Sequence, residues 1–253
     1  MRRSAGYEGY AEMCQDGTVR QKFQADLVEI SGMLVDLADQ ARTAMRRATG
    51  ALLHSDAEAA RSVIAADEEI DTRYREIEEK VYDVIALQAP VASDLRLVLT
   101  SLHIAADLER MGDLAEHVAK TGLRRHPAPA VPGELIEVVR EMASIADQMA
   151  GKISRVLSTP NANRAAELDR DDDIMDNLHR KLLGTVLSPS WKHGVEAAVD
   201  MALLGRFYER FADHAVNAGK HIIYLITGEP VTDGPPPTAT EGAHPSAPTG
   251  RPS

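Results

Sequence analysis

The chain has 253 residues; 44% are hydrophobic, only 4% are aromatic, and the formal charge is −11. An apolar set so poor in aromatics suits helix-on-helix packing better than a β-sandwich, and the negative balance excludes non-specific nucleic-acid binding, which needs a positive face to release counterions. The single cysteine, Cys14, excludes an internal disulfide and a zinc ribbon and points to a reducing, cytoplasmic setting.

Residues 1–18 are polar and without clear period, and are expected to lack structure. From Phe23 the apolar residues Leu27, Ile30, Leu34, Leu37, Ala41, Met45, Ala48 and Leu52 recur at steps of three and four, which predicts one long helix. Asp56 is a predicted N-cap for a second helix, whose stripe includes Val63, Ile70, Ile77, Val81 and Val84. Pro90 disfavours helical geometry at Ala89 and closes it. A third helix is predicted over about 91–124, ended by the proline-rich segment 126–133, which serves as a linker. A fourth follows over roughly 133–158, a fifth over 163–186 and a sixth from about Trp191 to Ile226. Beyond it, residues 228–253 hold seven of the thirteen prolines and almost no large apolar residue, so a disordered tail is expected over 229–253. No stretch of about 18 apolar residues is present to span a membrane, and the first 20 residues lack the apolar core of a secretory signal.

The chain repeats itself. Glu109-Arg110-Met111-Gly112-Asp113 on the third helix returns as Glu209-Arg210-Phe211-Ala212-Asp213 on the sixth, at an offset of 100. Asp67 and Asp71 on the second helix return as Asp172 and Asp176 on the fifth, at an offset of 105. Each half therefore reads as a long helix, an Asp-x3-Asp helix and a Glu-x3-Asp helix. The expected fold is all-α: two tandem antiparallel three-helix bundles, over 19–126 and 133–228.

Residues four apart share a helix face. Antiparallel packing would bring the two acid pairs of each half together, and four converging carboxylates are costly unless a cation or protons sit among them. Oxygen donors favour hard cations, Mg, Ca, Mn or iron, over a cysteine-type zinc site. His117, one turn beyond Asp113, could add a nitrogen ligand in the first half; Asn217 stands at the equivalent place in the second. Chance alone supplies roughly six acidic i,i+4 pairs in such a composition, so a lone pair carries no weight; it is the order and spacing repeated in both halves that does. No Glu-x-x-His pair, Walker A loop, GxGxxG or HExxH motif is present, and no serine or cysteine sits in a nucleophile's setting.

The run Gln88-Ala89-Pro90-Val91-Ala92-Ser93-Asp94-Leu95-Arg96, with Asp107-Leu108-Glu109-Arg110-Met111-Gly112-Asp113 and Glu209-Arg210-Phe211-Ala212-Asp213-His214-Ala215-Val216-Asn217, resembles the PhoU signature, and the resemblance covers about residues 19–228. It implies a non-enzymatic cytoplasmic regulator of phosphate uptake. Such a protein negatively regulates the phosphate-starvation response, as an adaptor between the ATPase subunit of the phosphate ABC transporter and a phosphate-sensing histidine kinase. A homodimer in peripheral contact with membrane proteins is implied. So are multinuclear metal clusters, of iron or of Zn, Mn or Mg, held by Asp67, Asp71, Glu109 and Asp113 in one half and by Asp172, Asp176, Glu209 and Asp213 in the other. Two departures from the pattern are Ala212 in place of glycine and His117 in place of asparagine. Family members often begin Met-Arg-x-x-Phe, and Val19-Arg20-Gln21-Lys22-Phe23 has that shape, so Val19 is the expected natural start, read from a GTG codon. Two rival readings stand beside the adaptor: a carboxylate-bridged metalloenzyme, and a metal-free helical scaffold.

Overall fold

The structure, a computed structural model, describes the backbone of residues 5–229 and the side chains from Arg20 onward. No strand occurs among the described residues. The helices are α1 (Ala5–His54), α2 (Ala57–Gln88), α3 (Ser93–Arg125), α4 (Ile136–Ser158), α5 (Ala162–Ala166), α6 (Leu168–Val186) and α7 (Gly194–Thr227).

Helices α1 and α2 bury most of the stripe predicted for them, with Phe23 and Leu27 half-buried at its start. On α1, Ile30, Leu34, Leu37, Ala41, Met45, Ala48 and Leu52 are all buried; on α2, so are Val63, Ile70, Ile77, Val81 and Val84. The Asp56 carboxylate accepts a hydrogen bond from the Ala59 amide at 3.0 Å and caps α2. Ala89 leaves α2 in the left-handed region (φ 42°), as the residue before Pro90 is barred from continuing the helix.

Helices α1, α2 and α3 pack on one another, as do α4, α6 and α7, with α5 against α7. The two bundles join along two seams, α1 against α4 and α3 against α7. In the second seam Arg124 and Arg125 pair with Asp200, His117 stacks on Phe207, Asp107 meets His214, and Arg96 lies over Tyr224. Residue numbers fall on one helix as they rise on the other, so α3 and α7 run antiparallel. The offset of 100 then makes the seam nearly self-inverse, centred near Met111 and Phe211.

Side-chain detail shows that the halves fold alike. Arg47 on α1 donates to Ser62 Oγ on α2 at 2.8 Å. Adding 105 to both numbers gives Lys152 on α4 and Glu167, which are 3.4 Å apart; Lys152 also binds Asp171 at 2.7 Å.

Four boundaries differ from the sequence expectation. Helix α1 reaches back to Ala5, so residues 5–18, expected to lack structure, continue it; they contain no proline, and Ala5, Glu8, Ala11, Glu12, Met13 and Gln15 are good helix formers. Residues 133–135 form a 3-10 turn before α4. The fifth helix is broken at Glu167 into α5 and α6. The break lets Ala165 and Leu168 both bury on α7 at Gly219, where a Cβ would stand 2.5 Å from Leu168 Cδ1. Trp191 stays outside α7, its indole N–H donating to the Gly194 carbonyl at 2.9 Å. The tail over 230–253 lies outside the described residues.

Candidate metal centres

Helix α2 presents Asp67 and Asp71 one turn apart, and α3 presents Glu109 and Asp113 in the same way, each pair beside a buried apolar residue, Ile70 or Met111. Close approach of the two helices depends on Gly112. A Cβ there would lie 2.9 Å from Ile70 Cδ1 and Cγ2 and 3.6 Å from Asp67 Oδ1. One carboxylate oxygen from each of Asp67, Asp71 and Asp113 lies within 4.8 Å of the others.

The electrostatics record the crowding. Burial, then the charges of Glu116, Asp113 and Asp71, push Asp67 up to about 6. Burial also raises Glu109, with Asp113 and Asp71 adding to it and Arg110 opposing. Arg110 binds Asp113 at 2.6 Å and Glu109 at 3.3 Å, so the group is partly neutralised from its solvent side.

In the second half α6 and α7 bring the equivalent acids into electrostatic range of one another, but among the described residues only the first half draws three carboxylate oxygens together. Burial and the charges of Asp213, Asp176, Glu209 and Asp173 push Asp172 up to about 6. Glu209 is raised by burial and by Asp213, with Arg206 opposing. Arg206 plays the part of Arg110, but from the preceding turn: it binds Glu209 and reaches within 4.0 Å of Asp213. Asp172 Oδ1 is buried with no hydrogen-bond partner. A buried carboxylate oxygen is rarely left unsatisfied, and the charges acting on this residue are all carboxylates.

The residues present therefore fit a hard cation. Neighbouring carboxylates help to raise Asp67 and Glu109 in the first half and Asp172 and Glu209 in the second, and three acids of the first half converge to ligating distance. His117 is not among them. It is exposed, and its ring stacks on Phe207 across the seam at a centroid distance of 5.1 Å. At this point of α3 the His117 side chain is turned toward α7. Glu116, which the sequence reading did not single out, is instead the first charge acting on Asp67, and Lys120 is bonded to it. Spacing alone did not separate the two, since Glu116 and His117 stand three and four residues after Asp113 and both spacings share its face.

The family model described as PhoU domain matches the chain twice, over residues 34–121 and 139–222. The Mycobacterium tuberculosis protein named phosphate-specific transport system accessory protein PhoU homolog 2 is 43% identical over 210 residues, covering 83% of this chain and 99% of its own. The Mycobacterium leprae homolog 1 is also 43% identical, with 83% and 95% covered. Two crystal structures superpose at 25% identity: PhoU from Pseudomonas aeruginosa, with a TM-score of 0.76 over 82% of this chain and 100% of that one, and the phosphate transport system regulatory protein PhoU from Streptococcus pneumoniae, with a TM-score of 0.74 over 83% and 99%. A double match to the family model, two whole-length relatives above 40% identity and the same six-helix arrangement agree: this chain belongs to the PhoU family.

Proposed function

We propose that the protein is a non-enzymatic regulator of inorganic phosphate uptake. It acts as an adaptor between the ATPase subunit of a phosphate-specific ABC transporter and a phosphate-sensing histidine kinase, and it damps the starvation response when phosphate is plentiful. The observation that carries this reading is the nearly complete coverage of relatives named as phosphate-specific transport accessory proteins, 99% of one of them. No helix among the described residues is long and apolar enough to cross a membrane, so contact with the transporter is peripheral in this reading.

The surface supports docking at two equivalent places. Leu87 and Val91 at the α2–α3 turn are 71% and 72% exposed, and Leu187 and Val195 at the α6–α7 turn are 79% and 81% exposed. Exposed apolar tips at matching corners of a rigid body suit contact with two partners, or with two subunits of one.

In the same reading each acid group holds a cluster of hard metal ions: Asp67, Asp71, Glu109 and Asp113 in the first half, Asp172, Asp176, Glu209 and Asp213 in the second. The metal would supply neutralisation of carboxylate repulsion. The protein's own part is to hold α2 against α3, and α6 against α7, at a spacing that suits the ions. The deciding experiment is affinity capture of the full chain from phosphate-replete and phosphate-starved cells, with partners identified. Recovery of the transporter ATPase or the kinase, changing with phosphate supply, supports the adaptor; recovery of neither in both states removes it.

A further inference from the structure

The α3–α7 seam is closed at one end and open at the other, although the repeat would make the ends alike. At the closed end Arg124 Nη1 and Arg125 Nε bind Asp200 at 2.9 and 2.6 Å, Arg125 also reaches Glu196, and Asp200 is 4% exposed. The repeat offset of 100 carries Arg124 to Tyr224, Asp200 to Thr100 and Glu196 to Arg96. Both acids that latch the closed end are therefore missing at the other, and one has become an arginine. A cleft of about 670 Å³ stands there, between the start of α3 and the end of α7.

The cleft lining is basic in a chain that is acidic overall. Arg96, His103, Lys220 and His221 line it, with no carboxylate among the described lining residues. Arg96 is held without an acid. Its guanidinium lies 5.4 Å from the Tyr224 ring centroid, and a Cβ on Gly228 would come within 3.0 Å of Arg96 Nη1, so glycine there, at φ 77°, leaves the guanidinium its place. The His103 and His221 rings stack at 5.1 Å and 15°. Asp107, one turn deeper, reaches His221 at 3.8 Å and binds His214 at 3.0 Å, which anchors the inner end. Arg96 and His103 are seven residues apart on α3, about 10 Å along the helix, so the basic groups span more than a single small anion. Leu95 and Leu99 give the same wall an apolar face, and Leu99 is 42% exposed.

We propose that this cleft binds a phosphorylated small molecule with a planar body, of the nucleoside-phosphate class. The phosphates meet Arg96, and the planar group lies against the leucines and the aromatic rings. The volume falls in the range of small-molecule sites, roughly 300–1,000 Å³, and the mixture of apolar wall and few charged groups is typical of them. An arginine stacked on an aromatic ring keeps its planar donors available to phosphate oxygens. The site is separate from the acid groups, and its existence does not depend on the transporter reading.

The test is calorimetric titration of the full chain with ATP, AMP and inorganic phosphate, in chelator so that the acid groups cannot recruit the probes through a metal. The expected result is saturable one-to-one binding of ATP, weaker binding of AMP and weakest of phosphate. Arg96→Glu should weaken ATP at least tenfold, and the double variant His103→Ala/His221→Ala severalfold, with unchanged thermal melts. Arg210→Glu, on an exposed part of α7 outside the cleft, should bind as the parent does. Absence of saturable binding by all three probes, or Arg96→Glu binding ATP as well as the parent, would overturn the assignment. Inorganic phosphate binding as tightly as ATP would overturn the planar part of it.

Discussion

Arg42 and Asp147 occupy the same position in the two repeats, 105 residues apart, and they bind each other: Nε to Oδ1 and Nη2 to Oδ2, both at 2.8 Å. In a self-inverse seam an equivalent position near the axis meets its own counterpart. Two arginines or two aspartates there would repel, so opposite charges at that point hold one bundle against the other. Arg46 adds a contact to Asp147 at 3.6 Å, and Arg42 also packs against Gly151, where a Cβ would lie 3.0 Å from its Cζ. Pairing holds the Asp147 carboxyl below its usual range, with burial opposing.

Breaking that pair should loosen the two bundles from each other. Asp147→Ala is expected to cost about 1.5–3 kcal/mol, the range for hydrogen bonds to charged groups. The charge reversal Arg42→Asp/Asp147→Arg should recover much of it. Urea unfolding of the two single variants and the double variant measures the coupling; additive effects, with no recovery in the double, would deny the pair its role.

The acid groups make a pH prediction of unusual sign. Asp67 and Asp172 have folded values raised to about 6, above the ordinary aspartate value near 3.8. Between those values the folded state binds more protons than the unfolded state, so metal-free protein gains stability as pH falls from 7 toward 4. That contribution is fully present below the unfolded value and is lost as pH rises through 6. Carboxylates held low, such as Asp26 and Asp147, act the other way, losing their contribution only as pH falls below the usual carboxylate range. Thermal melts of chelator-treated protein should therefore peak on the acid side of neutrality. Asp67→Asn/Asp172→Asn should flatten the rise; an unaltered profile would show that these groups are not the source.

Metal should reverse the role of the same residues. Without metal, Asp113→Asn and Asp213→Asn remove repulsion and should leave stability equal or higher. With metal they remove ligands and should lower both bound metal and melting temperature. Elemental analysis of protein purified without chelator, paired with melts before and after stripping, checks both halves of the statement. Unchanged metal content in the double variant would take these acids out of the metal site.

Gly112 should be sensitive out of proportion to its size. Alanine there gains about 1 kcal/mol in helix propensity, but its Cβ would push on two Ile70 atoms at 2.9 Å, and overpacking typically costs about 1–3 kcal/mol. Gly112→Ala is expected to destabilise slightly and to weaken metal binding in the first half by spreading α2 from α3. Ile70→Val in the same chain should relieve part of the clash, and chemical unfolding with metal titration reads both effects.

The buried hydroxyl pair across α1 and α7 gives an asymmetric test. Thr49 Oγ1 donates to the Met45 carbonyl at 2.9 Å, so the 2.6 Å contact with Tyr208 is a bond that the tyrosine donates. Tyr208→Phe loses one hydrogen bond, about 1 kcal/mol; Thr49→Val strands a fully buried phenol and should cost about 1–3 kcal/mol. Equal losses in denaturant unfolding would contradict this assignment of the proton.

Much of this was legible in the residues. The stripes on α1 and α2, the Asp56 cap and the stop at Pro90 each follow from local spacing, which a helix converts directly into a buried face. The acid pairs were legible through their repetition. His117 and Glu116 were not, because they differ by a 100° turn of α3, and only the position of α2 says which of them faces the acids. The break at Glu167 was hidden for a similar reason: it answers to Gly219 on a helix some 50 residues away.

By itself the sequence determined the helical class, the twofold repetition, the family and the two sets of acids, because periodicity and motif spacing are properties of the chain alone. The tertiary structure decided which surfaces meet. It set Arg42 against Asp147, drew three aspartates within ligating reach, turned His117 toward Phe207, and left one end of the α3–α7 seam open where the other is latched. Those outcomes depend on the rotation and register of packed helices, which no single helix encodes.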